Sequence, residues 1–192
     1  LHYALPIFAR YLPNGTPDTS FGAAGTIRAD ITPGDDSAMA VAIQRDGKIV
    51  ATGTCGPAAT SDFCAARFHP NGAIDTSFGI GGKMSTSMAD GADAVRAMTI
   101  QPNGSILMAG FCQSLSTGTG YDFCMARLLP NGQLDTTFNS TGKVITNIAS
   151  GFDYANAMLL QPDGKIVLLG GCYVVSFNYD FCMARYNSNG SL

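Results

Sequence analysis

Four strings in this chain repeat one another: FARYLPNGTPDTSFG from Phe8, CAARFHPNGAIDTSFG from Cys64, CMARLLPNGQLDTTFN from Cys124 and CMARYNSNGSL from Cys182. Their arginines, Arg10, Arg67, Arg127 and Arg185, recur at intervals of 57, 60 and 58 residues. The segments that link them agree as well, as AVAIQRDGKIVATGTC, AMTIQPNGSILMAGFC and AMLLQPDGKIVLLGGC. Nearly all of the 192 residues are therefore repeat. A repeat of this kind restricts the fold to units that stack on one another and share their core across the junctions.

Each copy reads as four short strands. The first covers 38–44, 95–101 and 155–161, and RDG, PNG or PDG follows it, where Asp-Gly and Asn-Gly tolerate the positive φ of a tight turn. The second covers 48–55, 105–112 and 165–172; the third covers 62–68, 122–128 and 180–186 and is closed by HPNG, LPNG or NSNG. After D-T-[ST]-F comes a fourth, at 83–88 and 143–148. No segment sustains a helical period, and Gly and Pro punctuate the chain at short intervals, so the chain is predicted to be all-β.

The second strand is apolar on both faces: Ile166 and Leu168 alternate with Val167 and Leu169. Such a strand must be covered from both sides. The first strand is rich in Ala, which suits an innermost position where neighbouring sheets converge. Four-stranded antiparallel sheets packed radially make a β-propeller, and a repeat of about 58 residues is too long for a solenoid coil and too regular for a sandwich. The expected blades are 1–33, holding strands three and four only, 34–90, 91–149, and 150–192, lacking its last strand. Closed propellers use about 4 to 8 blades. The expectation is thus either a part of a longer propeller or a subunit that completes itself with another copy, as a ring or a filament. An opening Leu1 with no signal pattern suits a processed product or a piece of a longer chain.

The pattern D-F-x-x-A-R-[YFL]-x-P-N-G-x-x-D-[TS]-[ST]-F-G, then G-K, then D-x-A-x-A-x-x-x-Q-P-[DN]-G-K-I-[VL]-x-x-G, resembles the delta-60 repeat, a bacterial extracellular β-propeller repeat. The resemblance covers residues from about 8 to the end. It implies a propeller in a secreted or cell-surface setting, and it implies no activity.

The cysteines are not part of that pattern. They fall two per copy, Cys55 with Cys64, Cys112 with Cys124 and Cys172 with Cys182, one at the end of strand two and one at the start of strand three. The two are expected to oppose each other across the hairpin, at about 4.5 Å between Cα atoms, within reach of a disulfide. Each bridge would close a loop of roughly 10 residues and contribute about 2 to 3 kcal/mol. In the incomplete first copy, Ile7 stands where Cys64 would be, and there the partner strand is missing too. A set of metal ligands would not follow its partner strand in this way. The spacings are not those of zinc sites, only His2 and His69 could add imidazole, and no metal is expected. Disulfides imply an oxidising, extracellular or cell-surface location.

Three further sets recur. Asp36, Asp93 and Asp153 stand eight residues before the glutamine of strand one; on converging loops they could hold a cation such as Ca²⁺, or they cap turns by accepting backbone amides. Arg10, Arg67 and Arg127 precede Asp18, Asp75 and Asp135 by eight residues; a row of arginines could grip an anion, but an ion pair tying each strand three to its own turn fits recurrence in every copy better. Tyr121, Tyr173, Phe177 and Tyr179 could form a contact patch for sugar or protein, although the chain has no Trp. Of the sequons at Asn14, Asn103, Asn139 and Asn189, only Asn139 is not an Asn-Gly turn, so it is the glycosylation candidate.

Charged residues are 13 % and the net charge is −3, with no basic run, so no nucleic-acid footprint exists; no apolar run approaches a membrane span. No Ser-His-Asp set, phosphate loop or paired carboxylates appear. The sequence favours a non-enzymatic structural or adhesion module without cofactor, partnered by itself, by the rest of a longer propeller, or by surface proteins and glycans. A propeller with an enzymatic or ligand-binding site on its axial loops is the other reading.

Overall fold

The computed structural model describes residues 7–192 apart from 117, 119, 150 and 174–177. The short strands β1 (Ile7–Ala9) and β2 (Thr26–Arg28) pair as a ribbon. β3 (Asp35–Ile43), β4 (Ile49–Gly56), β5 (Asp62–Phe68) and β6 (Lys83–Thr86) follow as a four-stranded antiparallel sheet. β7 (Asp93–Ile100), β8 (Ile106–Ser114), β9 (Gly120–Leu128) and β10 (Lys143–Thr146) form a second. β11 (Asp153–Leu160), β12 (Ile166–Tyr173) and β13 (Tyr179–Tyr186) form a third with three strands. Within each sheet, neighbours in sequence are neighbours in space, so every connection is a hairpin.

Those hairpins follow from the turn residues. Gly47, Gly104 and Gly164 adopt φ of 81°, 86° and 82°, the left-handed region that glycine enters without strain. Beside them Asp46, Asn103 and Asp163 each accept the amide two residues on, at 3.0 to 3.1 Å. The first hairpin of each copy is fixed locally, before any packing.

The sheets stack face to face. Phe8, Ile27 and Ala29 from the ribbon meet Ala51, Ala66 and Phe68 of the first sheet. Val50, Phe63, Ala65 and Phe78 on its other face meet Val95, Ile106, Met108 and Leu128 of the second. Leu107, Phe123, Met125 and Phe138 then meet Ala155, Ile166, Leu168 and Tyr186 of the third. β8 is therefore buried on both faces, as its sequence requires, whereas Val167 and Leu169 of β12 are half-buried because no described residue covers their side. The first strands of successive sheets, β3 with β7 and β7 with β11, lie against one another, which places the small residues where the sheets converge.

Each first strand carries a bulge, between Ala38 and Ala40, Val95 and Ala97, and Ala155 and Ala157. The bulge forces the backbones of strands one and two together. A Cβ on Gly53, Gly110 or Gly170 would collide with the carbonyl oxygen of Ser37, Ala94 or Tyr154, so glycine is required opposite every bulge. The bulge also turns the residues it leaves unpaired, Met39, Arg96 and Asn156, out to solvent.

Candidate functional site

All six cysteines are bridged, as Cys55–Cys64, Cys112–Cys124 and Cys172–Cys182, with Cα atoms 5.9, 5.7 and 5.7 Å apart. Their register corrects the expectation of directly opposed pairs. Cys55 lies opposite Asp62, and Cys64 lies opposite Gly53, so the bridge runs along a diagonal of the ladder; the other two sheets repeat this. The position directly across from each strand-three cysteine is the glycine that the bulge demands. The diagonal neighbour is brought within bridging distance by the twist of the paired strands. The bridges face the preceding sheet: Cys112 and Cys124 lie in the first interface between full sheets, Cys172 and Cys182 in the second.

The arginines form the most elaborate recurrent node. Nε of Arg10, Arg67 and Arg127 donates to Asp18, Asp75 and Asp135 at 2.8 Å in each case. A second arm, not foreseen from the sequence, crosses to the next unit: Nη1 donates to the carbonyl of Pro70 from Arg10, of Pro130 from Arg67 at 2.6 Å and of Ser188 from Arg127 at 2.8 Å. Each guanidinium also lies over the phenylalanine of its own turn, Phe21, Phe78 or Phe138, at 4.4 to 4.9 Å. That ring in turn packs on the glycine of the next unit's turn. A Cβ there would stand 3.2 Å from Phe21 at Gly72, 2.8 Å from Phe78 at Gly132 and 2.9 Å from Phe138 at Gly190. The amides of Gly22, Gly79 and Asn139 donate to the carbonyls of Asn71, Asn131 and Asn189 in the same junctions. In the reverse direction Lys83 reaches the carbonyl of Asp30, and Lys143 that of Ser87.

This node sets the electrostatics. Burial opposes ionisation of Asp75, but the Ser77 hydroxyl, Lys48, the Ser77 amide and Arg67 outweigh it and hold the carboxyl well below its usual range. Asp135 is lowered by the same balance of burial against Thr137 and Arg127. The carboxylates are thus fixed as anions that bind arginine. The fourth arginine, Arg185, is exposed and makes no ion pair among the described residues.

Asp36, Asp93 and Asp153 are not on loops as expected; they lie within β3 or begin β7 and β11, and all three are buried. Each carboxylate accepts the amides of the preceding connection, Ile31 and Thr32, Met88 and Ala89, or Ile148 and Ala149, at 2.6 to 3.4 Å. The structure does not bring them together, and the described residues hold no cluster of three or more His, Cys, Asp or Glu fit for a metal ion. Burial pushes the Asp93 carboxyl up to about 7, against the pull of the Met88 and Ala89 amides and with the help of the nearby Asp62 charge. Asn139 is exposed, with φ of 48°, and its Nδ2, the atom a glycan would occupy, donates to the carbonyl of Lys143 at 2.9 Å.

One region departs from the repeat. Between the second and third sheets a cavity of about 490 Å³ is lined by Arg96, Phe111, Tyr121, Tyr154, Asn156 and Tyr179, with Gly171 at its wall. Phe111 meets Tyr121 and Tyr154 edge to face, each at 5.0 Å, and Tyr173 meets Tyr179 at 5.3 Å. Phe152 lies 5.4 Å from Tyr121. Tyr121, Tyr173 and Tyr179 were singled out from the sequence; Phe177 and His2 lie outside the described residues. Arg96, Phe111, Phe152, Tyr154 and Asn156 were missed. Their only sequence signal is a departure from the other copies: the first sheet has Ser37, Met39 and Thr54 where the cavity has Tyr154, Arg96 and Phe111.

Antiparallel four-stranded sheets that stack face to face, converge at their first strands and latch turn to turn define a β-propeller. The chain belongs to the family described as domain of unknown function (DUF5122) beta-propeller, whose model matches residues 6–21, 44–78, 101–138 and 161–192, more than half of its length. No curated protein matches it. Three disulfides call for an oxidising environment. Among the described residues no helix is long and apolar enough to cross a membrane.

Proposed function

We propose that this chain is a non-enzymatic structural or adhesion module of a secreted or cell-surface protein, built from delta-60 repeats, with blades at 1–33, 34–90, 91–149 and 150–192. Its open blade faces associate with further blades of the same kind, either in a longer chain or in a second copy, as a ring or filament. The observation that carries this reading is the latch. Three times an arginine binds its own aspartate and reaches the next unit's turn, and the same parts stand unused at the two ends of the array. Arg185 has no carboxylate among the described residues, and the outward-facing Phe181 and Met183 beside it are 86 % and 65 % exposed. At the other end a Cβ on Gly15 would meet nothing within 4 Å, although Gly72, Gly132 and Gly190 each receive a phenylalanine ring. A donor end and an acceptor end of matching chemistry favour heterologous, head-to-tail association.

Sedimentation velocity over a wide concentration range tests this. The chain should associate, and Phe181→Asp with Arg185→Glu should return it to a monomer. A wild-type chain that remains monomeric at all concentrations would exclude self-association and leave only the longer-chain form. Free thiols in protein prepared from an oxidising compartment would remove the extracellular setting.

A further inference from the structure

We propose that the cavity between the second and third sheets is a binding site for a carboxylated sugar residue. The aromatic side chains there are not needed for stacking. The junction between the first and second sheets has the same bulge, the same disulfide diagonal and the same latch, yet carries Met39 and Thr54 on the first sheet and Ala94 on the second at the places of Arg96, Phe111 and Tyr154. A departure from the repeat that gathers six rings, Phe111, Tyr121, Phe152, Tyr154, Tyr173 and Tyr179, into one chain of contacts is a property of this site alone. The volume of about 490 Å³ falls within the range of small-molecule sites.

The charges select the ligand. Arg96 lies over Phe111 with its guanidinium carbon 5.2 Å from the ring centroid, and the side chain is exposed. It has no ion pair and no hydrogen bond among the described residues, and no carboxylate lines the cavity. A stacked guanidinium keeps its N–H fork free in the plane, the geometry that takes a carboxylate with two parallel hydrogen bonds. An aromatic cluster alone would also suit a quaternary ammonium, but a fixed cation at its edge repels one. What fits is a ligand with an apolar face for the rings, hydroxyls for the phenols and the Asn156 amide, and a carboxylate for Arg96. A pyranose ring bearing a carboxylate has all three.

The chain contains no Trp to mask tyrosine emission, and four of its seven tyrosines, Tyr121, Tyr154, Tyr173 and Tyr179, belong to this cluster, so tyrosine fluorescence can follow binding. Titration with glucuronate should give saturable binding about tenfold tighter than glucose, the size expected of one charged hydrogen-bonded pair. Arg96→Met, which installs the residue found at the matching bulge of the first sheet, should erase that preference while glucose binding stays the same. Added salt should weaken glucuronate and leave glucose unaffected in the wild type, which tests the idea even if the variant does not fold. Short oligogalacturonides that bind more tightly than the monomer would identify a polysaccharide as the source, and equal affinity a free sugar acid; both support the site. Equal affinities for glucuronate and glucose, tighter binding of tetramethylammonium, or a preference that survives in Arg96→Met would each overturn it. So would the absence of saturable binding. None of these outcomes bears on whether the blades associate.

Discussion

The hexapeptide DFCMAR stands in the second sheet at 122–127 and in the third at 180–185, and the two copies live in different surroundings. In β9, Phe123 and Met125 are fully buried; in β13, Phe181 and Met183 are 86 % and 65 % exposed. Their pairing with strand two is the same, since Phe123 pairs with Phe111 and Phe181 with Gly171 in matching registers, but β9 is also paired with β10 whereas β13 is an edge strand. Their disulfides match as well. The alanines that follow, Ala126 and Ala184, face the preceding sheet and are buried in both copies. What differs is the cover on the outer face and the fourth strand, which the second sheet has and the third sheet, among the described residues, does not. A strand of this repeat is thus complete as a strand by itself, and half of its side chains wait for a neighbour.

The comparison is broken most forcefully at the phenylalanine. Phe123→Ala should lower unfolding free energy by about 3 to 5 kcal/mol, while Phe181→Ala should cost under about 0.5 kcal/mol in the dilute monomer, by denaturant titration. Equal losses would mean that Phe181 is covered in solution. The disulfides sharpen the contrast from the other side. Cys112→Ser with Cys124→Ser, and Cys172→Ser with Cys182→Ser, should each cost about 3 kcal/mol, because closing loops of similar length restrains the unfolded chain whatever the burial of the folded one. A much smaller loss in the third sheet would show that its hairpin frays independently of the rest.

At the arginines a smaller difference is expected. Arg127→Ala removes bonds to Asp135, Ser188 and Thr137 and should cost about 2 kcal/mol, whereas Arg185→Ala should be neutral within about 0.5 kcal/mol. A further contrast is the pH dependence carried by Asp93. Its folded-state pKa of about 7 lies above the reference value of 3.8, so between those values the folded chain holds a proton that the unfolded chain has released. Stability should therefore fall as pH rises from about 4 to about 7, and Asp93→Asn should flatten that slope. Below about pH 4 the trend should reverse, as Asp75 and Asp135, whose pKa values are depressed, take up protons and release their arginines.

Much of this architecture is legible in the sequence because it is local. Asp46-Gly47 and its counterparts fix the hairpins, the apolar second strand requires cover on both sides, and paired cysteines flank a single loop. The eight-residue spacing of arginine and aspartate suggests an ion pair, and 2.8 Å separates them in three copies. The second arm of the arginine is not legible, since its acceptor is a backbone carbonyl about 60 residues away, which leaves no mark in residue type. The diagonal disulfide is equally hidden, because it depends on the register and twist of strands two and three, which residue type does not reveal. Asp93 reads in the sequence either as a loop ligand or as a cap for backbone amides, and its bonds from the Met88 and Ala89 amides make it a cap, buried at the start of a strand.

The sequence by itself determined the unit: its strands, its turns, its cysteine staples and its repetition, all set by interactions within about ten residues or by periodicity. Only the tertiary structure decided which faces are covered, because burial depends on what stands opposite and not on the strand. The same six letters are core in one sheet and surface in the next. It also decided where a site can form, by folding two unlike copies together so that Arg96 of one and Tyr154 and Tyr179 of the other line a single cavity.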